Sequence, residues 1–170
     1  LPRPFPLMPK EKLESIQAEM NASQQSENAE DLRMHLDNLL VLSTEEEVLQ
    51  KELSMMSPND PDYSEKMNSQ GQFSKDYKII EDSLSALLVR APKIETQVLK
   101  EMNTIERYFK KSSESLKDNK VNEGVGEIRY LLTSVNNLAL MLNVSLENMQ
   151  SQMSQPKKGD KSCDKPGSGK

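Results

Sequence analysis

One histidine, one cysteine and a run of three glutamates are the residues whose types could carry chemistry in this chain. A lone His35 leaves no place for a His-rich zinc site, or for the paired Glu-x-x-His motifs of di-metal bundles, which need two histidines. Asp31 and His35 stand at i, i+4, where a surface ion pair on a helix is the favoured reading over a metal or catalytic role. Glu45-Glu46-Glu47 point in different directions on a helix, so they converge on no ion and read as a solvated face. Cys163 lies among Lys, Gly and Ser, with no apolar or cationic pocket implied, and reads as an inert exposed thiol. Gly167-Ser-Gly169 follows no strand and precedes no helix, so it is no phosphate loop. Asn21-Ala-Ser23 and Asn143-Val-Ser145 match the glycosylation acceptor pattern by coincidence on helical segments. The ten methionines suit adaptable apolar surfaces, and Met102, Met149 and Met153 fall at seam positions that read as core packing. No catalytic, cofactor-binding or metal-ligating residue is assigned, no cofactor is expected, and the chain reads as a non-enzyme.

The composition narrows the classes further. The 170 residues carry 22 Lys+Arg against 27 Asp+Glu, only 35% hydrophobic residues, and no Trp. That low apolar fraction suits long helices that each bury one narrow stripe. The acidic balance disfavours nucleic acid as a partner. No run approaches the about 20 apolar residues of a membrane span, so direct membrane insertion is not expected. A single Cys makes no disulfide framework.

Helix breakers cluster at the ends. Four of nine prolines lie in the first nine residues, and three of six glycines lie beyond residue 158. Leu-Pro-Arg-Pro-Phe-Pro (within 1–8) reads as an extended lead-in without the layout of a signal peptide, and the missing initiator Met suggests a fragment. Between the ends, the spacing predicts an all-α, elongated, antiparallel bundle of three layers, coiled-coil-like, over 9–154. Its four helical segments are 9–25, 29–57, 61–111 kinked near Pro92, and 119–154. Asn28 is the expected N-cap of the second segment; Asp60 and Pro61 are the expected start of the third. Ile80, Leu84, Leu87, Ala91, Ile94, Val98, Met102, Ile105 and Phe109 form a sustained seam across that third segment. Ser112 to Asn119 reads as turn-like. Residues 155–170 carry five Lys and two Asp beyond Gln155 and read as disordered.

Straight antiparallel pairing about turns near residues 59–60 and 115 brings residue 28, Ala91-Pro92 and Asn136-Asn137 to one level. The expectation there is a cross-layer joint, the alternative being a locally bent helix with solvated asparagines. The joint comprises a break at 24–29, a kink at 88–92 where Pro92 frees the carbonyl of Leu88, and Asn136 or Asn137 bonded to nearby backbone.

Several ordered strings give the chain a resemblance. Glu30-Asp-Leu-Arg33, Leu39-Leu-Val-Leu-Ser43, Ser57-Pro-Asn-Asp-Pro61, Ile80-Glu-Asp-Ser-Leu84, Asn136-Asn-Leu-Ala-Leu-Met-Leu142, Met149-Gln-Ser-Gln-Met153 and Lys161-Ser-Cys-Asp-Lys-Pro-Gly167 carry it. Together they resemble the helical segment of a family of large, membrane-anchored envelope proteins of Bacteroidota whose function is unknown. The resemblance implies a periplasmic setting within a larger protein and supplies no catalytic residue. The expected function is a non-enzymatic interaction or scaffold module that binds partner helices or self-associates, as a monomer or weak dimer, with the protein partner unidentified. The alternatives are a lipid- or peptide-binding bundle using Met-rich grooves, or an accessory domain of an enzyme whose site lies elsewhere.

Overall fold

The computed structural model describes residues 9–91, 94 and 96–155. They form four helices and no strand: α1 (Lys10–Ser54), α2 (Tyr63–Arg90), α3 (Thr96–Lys117) and α4 (Val121–Ser154). Contacts between three pairs of helices fix the topology. Lys66 reaches Glu52 at 2.7 Å and Arg90 reaches Asp31 at 2.7 Å, so α2 returns antiparallel along α1. The hydroxyls of Tyr63 and Tyr77 donate to the carbonyls of Leu116 and Met102, so α3 runs back along α2. Ser43 on α1 donates to Asn136 on α4 at 3.0 Å, and Gln25 and Asn28 lie near Asn148 and Gln152, so α4 runs antiparallel to α1. Each helix packs on two neighbours, with no close approach across either diagonal. The chain is an up-down-up-down four-helix bundle.

The all-α antiparallel bundle holds, while the expected layering does not. The third segment is two helices, because the chain reverses between Arg90 and Thr96 and does not pass straight through a kink. All nine residues of the expected seam are buried. Ala91 and Ile94 plug the end of the bundle in phase with the helices on either side, so unbroken spacing conceals a hairpin. Pro92 itself lies outside the described residues, as do the lead-in and the tail with Cys163.

The expected break at 24–29 is absent: α1 runs unbroken for 45 residues, about 67 Å. Asn28, read as an N-cap, is instead a buried mid-helix residue that accepts from Gln24. Asp60 and Pro61 do not begin a helix. Asp60 accepts from the amide of Ser57 within the connection, and α2 starts at Tyr63. The expected turn from Ser112 belongs to α3, which continues to Lys117 with Ser112 fully buried. There the left-handed Asn119 (φ 60°) ends the helix, and the Lys120 amide donates back to the Ser115 carbonyl. Asn136 and Asn137 are exposed, and Asn136 bonds a side chain on α1, not backbone. Asn28 and Ala91 do lie at one level, as the pairing about residues 59–60 implied, but with α2 and α3 folded as a hairpin Asn136 is carried to the level of Ser43, so the three-way joint does not assemble.

Candidate functional site

The helices are of unequal length, and that inequality creates the site. α4 turns back from α3 at residues 118–120, so in antiparallel register the start of α3 at Thr96 lies beside about residue 142 of α4. Residues 143–154 of α4, about 18 Å of helix, therefore run past α3, and among the described residues no helix fills that corner of the bundle. A groove of about 700 Å³ occupies it. Leu140, Met141, Val144 and Met149 of α4 form one wall; Ala91, Ile94 and Val98 form the floor. Amides and hydroxyls, among them Gln25 and Asn28 of α1 and Ser145 and Asn148 of α4, surround this apolar strip. Among the described residues Arg90 is the one charged side chain lining it, and Asp31 pairs with Arg90. Met149 is half-buried against the core, as the seam spacing implied, whereas Met153 is 40% exposed. Met102 is core.

One turn along α1 from Asp31, His35 is buried with Nδ1 unpartnered. It is not the surface partner of Asp31 that the i, i+4 spacing suggested, because Asp31 turns outward to Arg90. Burial lowers the His35 pKa; the Asp31 charge opposes and the Arg90 charge adds to it. The imidazole is therefore neutral at neutral pH.

A second polar constellation sits deeper. Glu46, placed by sequence on a solvated acidic face, is fully buried, and both carboxylate oxygens lack a hydrogen-bond partner. The core-facing positions of α1 recur at 28, 32, 35, 39, 42, 46, 49 and 53. Glu46 occupies one of them while Glu45 and Glu47 do not, and that phase was the signal available in the sequence. Gln70 of α2 and Ser112 of α3 are also fully buried. The Gln70 amide donates to Ser112 Oγ at 3.1 Å, and the Ser112 hydroxyl donates to the Phe109 carbonyl. Gln70 Oε1 is left without a donor. Burial pushes Glu46 up to about 8, with the Gln70 side chain opposing. This polar layer separates two apolar clusters: a large one running from Ala29 to Leu146, and a smaller one of Leu49, Leu53, Tyr63, Leu116, Val121, Val125 and Ile128.

Asn21 is exposed on α1, while Asn143 is half-buried and donates to Glu147. Among the described residues no three His, Cys, Asp or Glu side chains gather as a metal site, and no helix is long and apolar enough to cross a membrane. No family model, curated protein or solved structure matches the chain.

Proposed function

We propose that this chain is a non-enzymatic interaction module whose vacant bundle corner receives a helix of a protein partner. The observation that carries the reading is the groove beside residues 143–154 of α4. It lies where α3 would pack if it continued past its start at Thr96, and it is lined for a helix. Its apolar strip matches the apolar face of an amphipathic helix, and its amide rim suits the polar flanks. An acyl chain would use the apolar strip but make no hydrogen bond to the exposed amide rim, whereas the polar flanks of a helix can pair with it, which favours a helix over a lipid. The periplasmic, membrane-anchored setting belongs to the same proposal and rests on the family resemblance.

The test places a photo-cross-linking residue at Val144, in the groove, and at Ser64, exposed at the far end of α2. The chain is studied in cells that produce it in its native context. The expected result is one protein adduct from position 144, none from 64, and its loss on Leu140→Glu with the melting temperature unchanged. Equal labelling from both positions, or an adduct indifferent to Leu140→Glu, would overturn the reading.

A further inference from the structure

The other consequence of unequal helix length is that α1 overhangs the bundle. Arg90, the last residue of α2, is level with Asp31, and the Ser43–Asn136 pair places the end of α4 near residue 25. Residues 10–27 accordingly pack on almost nothing: every one is exposed except a half-buried Ala18. A lone helical stretch of this length is marginal in water unless something covers it. The overhang also carries an apolar stripe of its own. Leu13, Ile16 and Met20 are 49%, 37% and 66% exposed and share one face. That face is not the one α1 turns to its own core. Carried back from Asn28, the core-facing phase passes through Gln25, Asn21, Ala18, Glu14 and Glu11.

The charges beside the stripe are biased along its length. Lys10 and Lys12 flank it on either side at its N-terminal end, with Lys10 also within 3.8 Å of Glu14; Glu19 stands beside its middle on the Lys12 flank, and Glu27 and Glu30, both exposed, continue it at the other end. Glu11 and Glu14 fall on the opposite face. Paired with itself in parallel, such a stripe sets lysine beside lysine and glutamate beside glutamate. Paired antiparallel, it sets each lysine pair beside the glutamates, and Ile16 lies level with Met20 of the other copy.

We propose that the α1 overhang is the contact surface of an antiparallel dimer of this chain. Leu13, Ile16 and Met20 of the two copies interleave about a two-fold axis near residue 18, with Lys10 and Lys12 of each beside Glu27 and Glu30 of the other. The contact is isologous, as closed dimers require. One pair of helices covers less than the about 1,200 Å² of a standard interface, so the dimer is a weak one with Kd in the range of about 10–100 µM. The surface lies on a different face from the groove, so it stands or falls independently of the partner helix proposed there.

Sedimentation equilibrium of the full chain, with Cys163→Ser, tests it across a hundredfold concentration range. A concentration-dependent monomer–dimer equilibrium is expected. Ile16→Glu with Met20→Glu should weaken it at least about tenfold, the scale of 1.4 kcal/mol, while circular dichroism still reports a folded bundle. Lys10→Glu with Lys12→Glu should weaken association, and Glu27→Lys with Glu30→Lys added to it should restore association. A mixture of Ile16→Cys and Met20→Cys chains should cross-link to each other more readily than either does alone. A wild-type chain that stays monomeric at about ten times the upper Kd, a charge swap without rescue, or preferential cross-linking of Ile16→Cys to itself each overturns the proposal. Leu140→Glu, which closes the groove, should leave the dimer intact.

Discussion

Replacing Glu46 by Gln should stabilise the bundle at neutral pH and remove most of its loss of stability between pH 4.5 and about 8. In the folded chain the carboxyl is fully buried and raised from 4.5 to about 8; in the unfolded chain it ionises normally. Below the unfolded value both states carry the proton, and Glu46 imposes no pH-linked cost. Above it the folded state must hold a proton that the unfolded state has released. Stability therefore falls as pH rises through this window and levels off beyond the folded value. Each unit is about 1.4 kcal/mol, which puts the cost at about 3 kcal/mol at pH 7 and about 5 kcal/mol above pH 8. Gln has the same shape, holds no charge, and brings the N–H donor that Gln70 Oε1 lacks. For a chain of this size about 3 kcal/mol corresponds to a rise of about 6–12 °C in Tm at pH 7. Thermal and urea unfolding, followed by far-UV circular dichroism across the window, measure it. The two proteins should nearly coincide at pH 4.5 and diverge as pH rises. Parallel pH profiles, or a Glu46→Gln protein less stable than wild type at pH 7, would refute the reasoning that Glu46 is held neutral in the core.

The remaining expectations concern other points in the same core. His35→Leu should act at the opposite end of the pH scale. With its folded pKa lowered by burial, His35 contributes stability that is lost as pH falls below its ordinary 6.5, so the variant should resist acid unfolding more than wild type does. Equal acid midpoints would contradict this. Gly124→Ala should destabilise by about 1–2 kcal/mol despite the better helix propensity of Ala, because its Cβ would stand 2.7 Å from Cδ2 of the fully buried Leu116. Gly126→Ala, with nothing within 4 Å of the new Cβ, should stabilise by about 1 kcal/mol; urea midpoints that rank the two alanines the other way would count against the packing. Tyr77→Phe should cost about 1 kcal/mol in urea unfolding, since it removes the buried hydroxyl that bonds the Met102 carbonyl of α3.

What the sequence conveyed was phase, and phase is blind to direction. All nine seam positions from Ile80 to Phe109 are buried, although the seam missed the buried Glu81 and gave the path of the chain wrongly. A hairpin whose turn residues Ala91 and Ile94 plug the bundle end leaves the same spacing as one kinked rod. Polar residues caused the opposite error. Asn28 and Ser112 have the types of caps and turns, yet they sit mid-helix in the core, where Gln24 and Gln70 supply partners from the same helix and from a neighbour. Glu46 was hidden among Glu45 and Glu47 because a charge run looks solvated until the stripe of α1 is counted through it. The groove had no local signature at all. It exists because α4 outlasts α3, a difference of lengths that shows only once the reversal between Arg90 and Thr96 is known.

Asn28, His35 and Glu46 all occupy core-facing positions of α1, where Leu would bury more apolar surface. Their cost is intelligible as register. Sliding α1 by one heptad against its neighbours would move Glu46 to the level of Leu39 or Leu53, inside one or other apolar cluster and away from Gln70 and Ser112. Such a slip replaces a polar neighbour by hydrocarbon, which a uniformly leucine-lined seam would tolerate. The same slip would separate Asp31 from Arg90 and Ser43 from Asn136. Holding α1 in one register determines how far it projects past α2 and which part of α4 it faces across the vacant corner. The buried polar positions therefore set the geometry of both surfaces to which partners are assigned, although neither Glu46 nor His35 lines the groove.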